Sequence, residues 1–532
     1  MASGAANFSP DMMDGVKVID ISSDESSPFS PDEDLPQPLP PAHLGPRIGV
    51  PVRRPDVNTG NSLEFTLQLS PLEQTAPRRY IRIAMAFPWN QQTGILEGQL
   101  IDVHRSVCEA LFKTIEHWPF LGGVFCPSHH DPTKLMLRYP EHISRQLLSR
   151  LVRIQPPAVG GTVYPNGDYN LSMSNFGKDR FVWDVDPRDD DRNGDWFPPV
   201  TIKISFVDGT VVLGFAFSEN LFDGESIKNV LNQFAAHSNY LYFRPFRVNN
   251  RPVLDINHVQ VADFDLLPFY DWSCNAIEPP TPRRNLNCQV ITLSNDVVQD
   301  LHGIVVADKN QVALYEDSVL ALFWVAIMRA RFQNGRFRTG EIARVNYMLP
   351  GAWHTRSSRR NDPQYCGNST ITALATCDAR DLIGAPDDPA DGLPRIMRLN
   401  DFTLASQILR GALLSVSART LSHLAAFKKT VSPDQERDAY ERGIRRHSDS
   451  LTFENWACYG PDYAAGIPYA VDQVSYLFPC VDDMAEGTVI LLPRRGEYWG
   501  EADWSICVCL VEADMDGLLH SLNREGWLIR SD

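Results

Sequence analysis

The stretch from Val200 to His237 constrains the fold more than any other part of the chain. VTIKISF and TVVLGFAF are two β-rich runs separated by Asp208-Gly209, a pair that favours a two-residue hairpin. The second run passes into SENLFDG, beyond which Ile227, Val230, Leu231 and Phe234 recur at helical spacing. Asp223 stands where a side-chain oxygen can cap the first turn. The spacing therefore predicts a hairpin that turns directly into a helix over 225–237. Glu219 falls in the strand-to-helix junction, where a side chain can face a cleft.

Similar mixtures flank this region. Upstream, SLEFTLQLS and IRIAMAFPW read as strands, and GQLIDVHRSVCEALFKTIEHWPFLGG keeps a helical period as far as Pro119 and Gly122-Gly123. KLMLRYP adds a strand. Downstream, VITLSNDVVQDLHGIVV reads as strand then helix. EDSVLALFWVAIMRARF reads as an amphipathic helix with its stripe at Val319, Leu322, Phe323, Ala326 and Ile327. YCGNST and TALATCD read as two strands around loops, and TLASQILRGALLSVSARTLSHLAAFKK as one or two helices. QVSYLFP, GTVILLP and WSICVCLVE are strands before a last helix at MDGLLHSLN. Two α/β halves result, residues 61–250 and 285–532, and the Pro-rich segment 251–284 is expected to cross between them.

A chain of 532 residues, 43% hydrophobic and 22% charged, can fill more than one core. Residues 1–60 are different: rich in Pro, Ser and acid, they cannot bury enough surface to offset chain entropy and are expected to form a disordered tail. Within them VKVIDISSDES, Val16–Ser26, has the β-branched-then-acidic order of a SUMO-interacting segment, which would add a strand to a partner's sheet edge. A solvated tail containing a few valines fits the same letters. The net charge of −17 argues against a general nucleic-acid binder, since phosphate contacts need clustered Lys and Arg. No run approaches the length of a membrane span and the N-terminus lacks a basic start and apolar h-region, so no membrane association and a cytoplasmic location are expected. Ten cysteines without metal-ligand spacing suit a reducing compartment. Neither a metal nor a stable oligomer is expected.

EHWPFLGG, FAFSENLFDGES, DSVLALFWVAIMRAR, YCGNST, SQILRGAL, WACYGPDYAAGIP and GTVILLPRR follow one another in this order. In order and spacing they resemble the BAHD-type acyltransferases, specifically the fungal secondary-metabolism branch that includes trichothecene acetyltransferases. The resemblance covers residues 62–525. It implies a chloramphenicol-acetyltransferase-like α/β fold, two similar domains of mixed sheet and helix around a central tunnel. An acyl-CoA, acetyl-CoA foremost, would enter from one side and a small-molecule acceptor from the other.

Both family signatures are altered. The first is HxxxD followed by Gly, and here reads Glu219-Asn220-Leu221-Phe222-Asp223-Gly224. The second, DFGWG, reads Asp462-Tyr463-Ala464-Ala465-Gly466 and is structural in the family. The family histidine takes the proton from the attacking acceptor, and the aspartate orients the local structure. Histidine suits that task because its ordinary pKa lies near neutrality. A glutamate starts at about 4.3, but burial raises it, and Phe215, Phe217 and Phe222 are close in sequence. Glu219 is thus the candidate base; a helix-terminus charge left at a lost catalytic position competes with it. His354, in a segment that borders the tunnel in relatives, is a candidate replacement base, with which an ordinary loop histidine competes. Arg356, Arg359 and Arg360 are candidates to meet a CoA phosphate, as guanidinium pairs bidentately with phosphate; a solvated basic loop would look the same. Asn368 matches a family position near the tunnel, where a turn-forming role competes.

Three functions stay open on these residues. The first is acyl transfer from a CoA thioester to a natural-product hydroxyl with Glu219 as atypical base. The second is carboxylate-catalysed cyclisation, elimination or isomerisation of a metabolite on the same scaffold. The third is a catalytically silent binding protein. GxSxG, GxGxxG after a strand and GxxxxGK are absent from the chain, so a serine hydrolase or nucleotide-loop enzyme has no support.

Overall fold

The structure, a computed structural model, describes residues 64–89, 97–128, 130–141, 143–155, 178–183, 197–207, 210–239, 285–307, 313–338, 340–351, 366–383, 399–430, 432, 450–459, 465–470, 476–480, 484–494 and 502–531. Residues 47–532 form one compact unit. The expected tail at 1–60, the Val16–Ser26 segment and the crossover at 251–284 lie outside the described residues.

Strand β1 (Glu64–Gln68) leads into α1 (Pro71–Thr75), which opens with a reciprocal cap between Ser70 and Glu73. Then come β2 (Tyr80–Pro88) and α2 (Glu97–His117), which gives way to a 3-10 turn at Pro119–Gly122. β3 (Val124–Pro127), β4 (Leu135–Pro140), α3 (Arg145–Leu151), β5 (Val152–Gln155) and α4 (Lys178–Phe181) follow. β6 (Val200–Val207) and β7 (Thr210–Ser218) pair antiparallel with Val207 opposite Thr210, the register a two-residue link at 208–209 imposes. Helix α5 (Gly224–Ser238) comes next, close to the span its apolar stripe predicts.

The second half runs β8 (Leu286–Leu293), α6 (Asn295–Val306), α7 (Tyr315–Gln333), β9 (Ile342–Leu349), β10 (Ile371–Asp378), α8 (Ala379–Ile383), α9 (Leu399–Ser415) and α10 (Ala418–Thr430). It ends with β11 (Leu451–Asn455), a 3-10 turn at Ala457–Tyr459, β12 (Tyr476–Pro479), β13 (Thr488–Leu491), β14 (Trp504–Val511), α11 (Glu512–Arg524) and β15 (Leu528–Ser531). Three sheets form: β1-β4-β3, β12-β2-β7-β6-β5 and β10-β9-β11-β13-β14-β8-β15. Strand β12 belongs by sequence to the second half but pairs with β2 of the first, Tyr476 opposite Ala86.

The seven-stranded sheet divides two apolar cores by strand parity. Leu451 and Phe453, Val489 and Leu491, and Ile506, Val508 and Leu510 face one core with helix α7. Ile490, Cys507 and Val290 face the other, which β2, β7 and α5 fill. Register pairs Glu454 with Ile490, Ile490 with Cys507 and Cys507 with Val290, so Glu454 occupies the row that looks toward the first half.

Two expectations need correction. Helix α7 is not amphipathic: every residue from Asp317 to Arg331 is buried, because α6, α9 and α11 pack round it and the sheet covers the rest. The stripe at Val319, Leu322, Phe323, Ala326 and Ile327 is one part of a helix sealed on all sides. The 366–370 segment is not a strand; only Ile371–Asp378 pairs in the sheet, while the polar residues before it turn inward as a loop. Among the described residues no helix is long and apolar enough to cross a membrane, and no group of His, Cys, Asp and Glu is placed to hold a metal.

Candidate active site

The loop between β7 and α5 is held by its backbone. Leu221 and Phe222 N–H groups both donate to Ser218 O, folding the chain back at 3.0 Å. The Glu219 N–H donates to Arg79 O at 2.9 Å, and its carbonyl accepts from Asn368 Nδ2 at 2.5 Å. Asn220 Nδ2 donates to the carbonyls of Glu73 and Ala76 at 3.0 and 3.1 Å. The buried Glu73 carboxylate accepts from Asn368 N at 3.2 Å, so one acid supports both the α1 cap and the 366–370 loop.

Asp223 uses both oxygens in the same knot. Oδ1 caps α5 by accepting from Ser226 N at 2.9 Å, and Oδ2 accepts from Gly351 N, Ser369 N and Ser369 Oγ at 3.0, 2.9 and 3.0 Å. Ser226 Oγ and the Gly367 backbone close a second tie from α5 to the same loop. The carboxylate is thereby occupied with holding loops of the second half against the first turn of α5.

The Glu219 side chain, 7% exposed as a residue, points at charge. Its Oε2 meets Arg79 Nε at 2.5 Å, and the Arg79 side chain is half exposed. Oε1 accepts no hydrogen bond among the described residues. At the end of β11, Glu454 Oε2 accepts from the buried Trp456 indole N–H at 2.9 Å. Burial pushes the Glu454 carboxyl above its ordinary range; the Arg79 guanidinium and the Trp456 donor work against that, and the Glu219 carboxylate adds to it. Arg79 and Glu219 thus pair at the seam between the first half and the seven-stranded sheet, and among the described residues their charges reach Glu454.

The signature glycines lie at opposite ends of α5. A Cβ on Gly224 would come within 2.7 Å of Tyr459 Oη and 3.0 Å of Pro350 Cβ, so a larger residue in the first turn would force these neighbours to shift. A Cβ on Gly466 would meet Ser238 O and Asn239 Oδ1, each at 2.7 Å, and the Gly466 N–H donates to Ser238 Oγ at 3.1 Å. The two motifs are far apart in sequence, yet both fix the same 15-residue helix.

Glu219, Asp223, Gly224 and Asn368 come together in one knot, and Gly466 closes the far end of the helix. His354, Arg356, Arg359, Arg360 and Asp462 lie outside the described residues. Sequence reasoning missed Arg79, Glu454 and Trp456. Arg79, in PRRY just before β2, looks like an ordinary strand-edge cation; only tertiary closure brings it to Glu219, 140 residues away. Glu454 has a faint signal: it is an acid on the off-core parity of a short strand.

The Transferase family description matches residues 178–524. Acyltransferase BOA11 of Botryotinia fuckeliana (strain B05.10) is 21% identical over 343 residues, which is 58% of this chain and 70% of that protein. TRI101 of F. graminearum, solved with coenzyme A and deoxynivalenol, aligns with a TM-score of 0.68 at 14% identity, over 87% of this chain and 99% of that one. TRI3 trichothecene 15-O-acetyltransferase of Fusarium sporotrichioides aligns with a TM-score of 0.57 at 12% identity, over 86% and 95%. At such identities the structures speak for the fold, and it is the chloramphenicol-acetyltransferase-like one the sequence leads to.

Proposed function

Because the chain belongs to the Transferase family, the BAHD-type acyltransferases, we propose that it carries an acyl group from a CoA thioester to a hydroxylated natural product, with Glu219 as the base. The solved relative TRI101 holds coenzyme A together with a small molecule, which supports an acyl-CoA donor, acetyl-CoA foremost, and a small-molecule acceptor here. Arg356, Arg359 and Arg360 are proposed to meet the CoA phosphates. The proposal includes two halves, 61–250 and 285–532, acting as a monomer in the cytoplasm.

The single observation that carries the mechanism is the disposition of the Glu219 carboxylate. Arg79 holds Oε2 at 2.5 Å, while Oε1 is left without a hydrogen bond among the described residues. In the reaction the acceptor hydroxyl is bound against Oε1. Its oxygen attacks the thioester carbonyl as its proton passes to the carboxylate, the carbon–sulfur bond breaks, and the proton moves on to the CoA thiolate. Arg79 keeps the carboxylate aimed, and Asp223 holds the junction that presents it.

The test is mass spectrometry of the purified chain with acetyl-CoA and a panel of hydroxylated fungal metabolites, comparing wild type with Glu219→Gln. Transfer by wild type and loss in the variant is the expected result. Full activity in Glu219→Gln removes this carboxylate as the base.

A second reading draws on the same cluster. A buried carboxylate held by one arginine also suits proton abstraction from a bound metabolite, as in cyclisation, elimination or isomerisation. Glu219→His separates the two: gained or retained acyl transfer supports the first, and loss of all activity beside an active wild type supports the second.

A further inference from the structure

Strands β8 and β14 place two cysteines directly opposite each other. Register pairs Cys288 with Cys509 in the antiparallel ladder, so their side chains leave the sheet on the same face. The Cys509 carbonyl accepts from Gly487 N at 2.8 Å, on the β13 side. In an antiparallel strand a residue's N–H and C=O point the same way, so the backbone of Cys509 turns away from β8 and the two cysteines form a non-hydrogen-bonded pair. Such a pair brings the Cα atoms to about 4.5 Å, with the side chains closer than in a hydrogen-bonded pair. That spacing lies at the short end of what a disulfide spans, where the bond can form across the ladder and remains open to reduction.

Both thiols are free. Cys509 is sealed, with its Sγ 3.9 Å from the Met484 carbonyl oxygen. Its hydrogen bond to the Cys288 sulfur, then burial, pushes the Cys509 thiol up. Cys288 is half-buried. The outer strand β15 pairs with β8 at Ile291, Thr292 and Leu293, so among the described residues no strand lies beyond Cys288 on that edge. Cys507 shares the face but stands opposite Val290, and its thiol meets Met484 Sδ at 3.6 Å. It is diagonal to Cys288. An oxidant therefore meets Cys288 first, and the sulfur placed to answer is Cys509.

We propose that Cys288 and Cys509 are a modification site, closing to a reversible disulfide in response to peroxide. The Cys288 sulfur attacks one peroxide oxygen, the O–O bond breaks, and one water leaves, giving a sulfenic acid. The Cys509 sulfur then attacks the Cys288 sulfur, the S–O bond breaks, and a second water carries off the remaining thiol proton. Two thiols give up two electrons and two protons, and one peroxide becomes two waters. A dithiol reductant restores both thiols by exchange. In a reducing compartment the pair rests open and closes while peroxide is present. Once closed, it ties β8 to β14 across most of the second half, which restricts the unfolded chain and raises resistance to denaturation.

The experiment treats the full-length folded chain with hydrogen peroxide, alkylates the remaining thiols and maps linked peptides by mass spectrometry before and after dithiothreitol. The 288–509 link should form in wild type, vanish on reduction, persist in Cys507→Ala and be absent from Cys288→Ala. In Cys509→Ala, Cys288 should stop at the sulfenic acid and be captured by dimedone. The denaturation midpoint should rise on oxidation in wild type and stay put in Cys288→Ala. If Cys509→Ala does not fold, Cys288→Ala and Cys507→Ala carry the test, since each leaves Cys509 in place. A 288–507 link instead, a wild-type Cys288 that stops at an oxygen acid, or no reaction at Cys288 while circular dichroism shows the fold intact overturns the proposal.

Discussion

Two of the ionic contacts among the described residues are built to opposite specifications. In the second half Arg331 and Arg336 meet Asp514 and Glu486: Arg331 Nε stands 3.6 Å from Asp514 Oδ2 and its Nη2 3.7 Å from Glu486 Oε1, while Arg336 bonds both acids. Asn334 Nδ2 gives Asp514 a further donor at 2.9 Å. Two cations face two anions, and the Arg331 and Asp514 side chains are wholly inaccessible. At the site Arg79 meets Glu219, and the cation is half exposed. A sealed, balanced cluster has no cheap way to gain or lose a proton, so it can only hold structure. A pair whose cation lies half in solvent is open to what binds there.

The largest expected effect falls on activity. Glu219→Gln should lower turnover by about 10²–10⁴-fold while the denaturation midpoint stays near wild type, because its backbone ties to Arg79 and Asn368 remain. Steady-state rates beside guanidinium melts check both halves of the statement. A collapse of stability with the rate would break the comparison, since it would make the site a structural cluster too.

The mirror experiment is Asp514→Ala. Removing one partner from the sealed cluster leaves Arg331 buried without its nearest acid, and folding stability should drop by about 3–5 kcal/mol. Turnover per folded molecule should be unchanged. A rate loss without a stability loss would mean that the distant cluster communicates with the site.

A smaller effect tests the helix that carries the junction. Gly224→Ala forces a Cβ to within 2.7 Å of Tyr459 Oη and should cost about 1–3 kcal/mol. It should also slow turnover, because Tyr459 and Pro350 must give way or the first turn of α5 must shift. Gly466→Ala at the other end should cost a similar amount of stability with less effect on rate.

Acid should find a weak point outside both clusters. Burial first, then the nearby His117 and Lys113, pushes the His237 imidazole from 6.5 down to about 4. Between those values the unfolded chain holds a proton that the folded one does not, so stability is full above pH 6.5 and declines as pH falls towards 4. Denaturation midpoints at pH 7 and pH 5 should differ in wild type and differ less in His237→Gln. An unchanged slope would assign the acid sensitivity to the clusters instead.

Local pattern made much of the fold legible. Helix α5, its Asp223 cap and the β6–β7 hairpin are encoded within forty residues, and each follows from spacing and turn chemistry. Helix α7 was harder, because an apolar stripe says which face is buried first and nothing about whether other helices cover the rest. The 366–370 loop reads as a strand because β-branched and aromatic letters flank it, while its inward turn depends on Glu73 and Asp223 waiting elsewhere. The site was half legible. Glu219 announces itself by position, but Arg79 and Glu454 become neighbours only when β2, β7 and β11 have found one another, and no periodicity encodes that meeting.

The knot around residue 219 grips main-chain atoms: N–H to Arg79 O, carbonyl to Asn368 Nδ2, with Asp223 and Asn220 bracing either side. None of these bonds asks what the side chain at 219 is. The mount and the tool it carries are therefore separable, so evolution can trade one functional group for another at this point while the frame stays put. New reactivity then has to be settled by whoever stands opposite the exchanged group, and on this frame that is Arg79, 140 residues away in sequence.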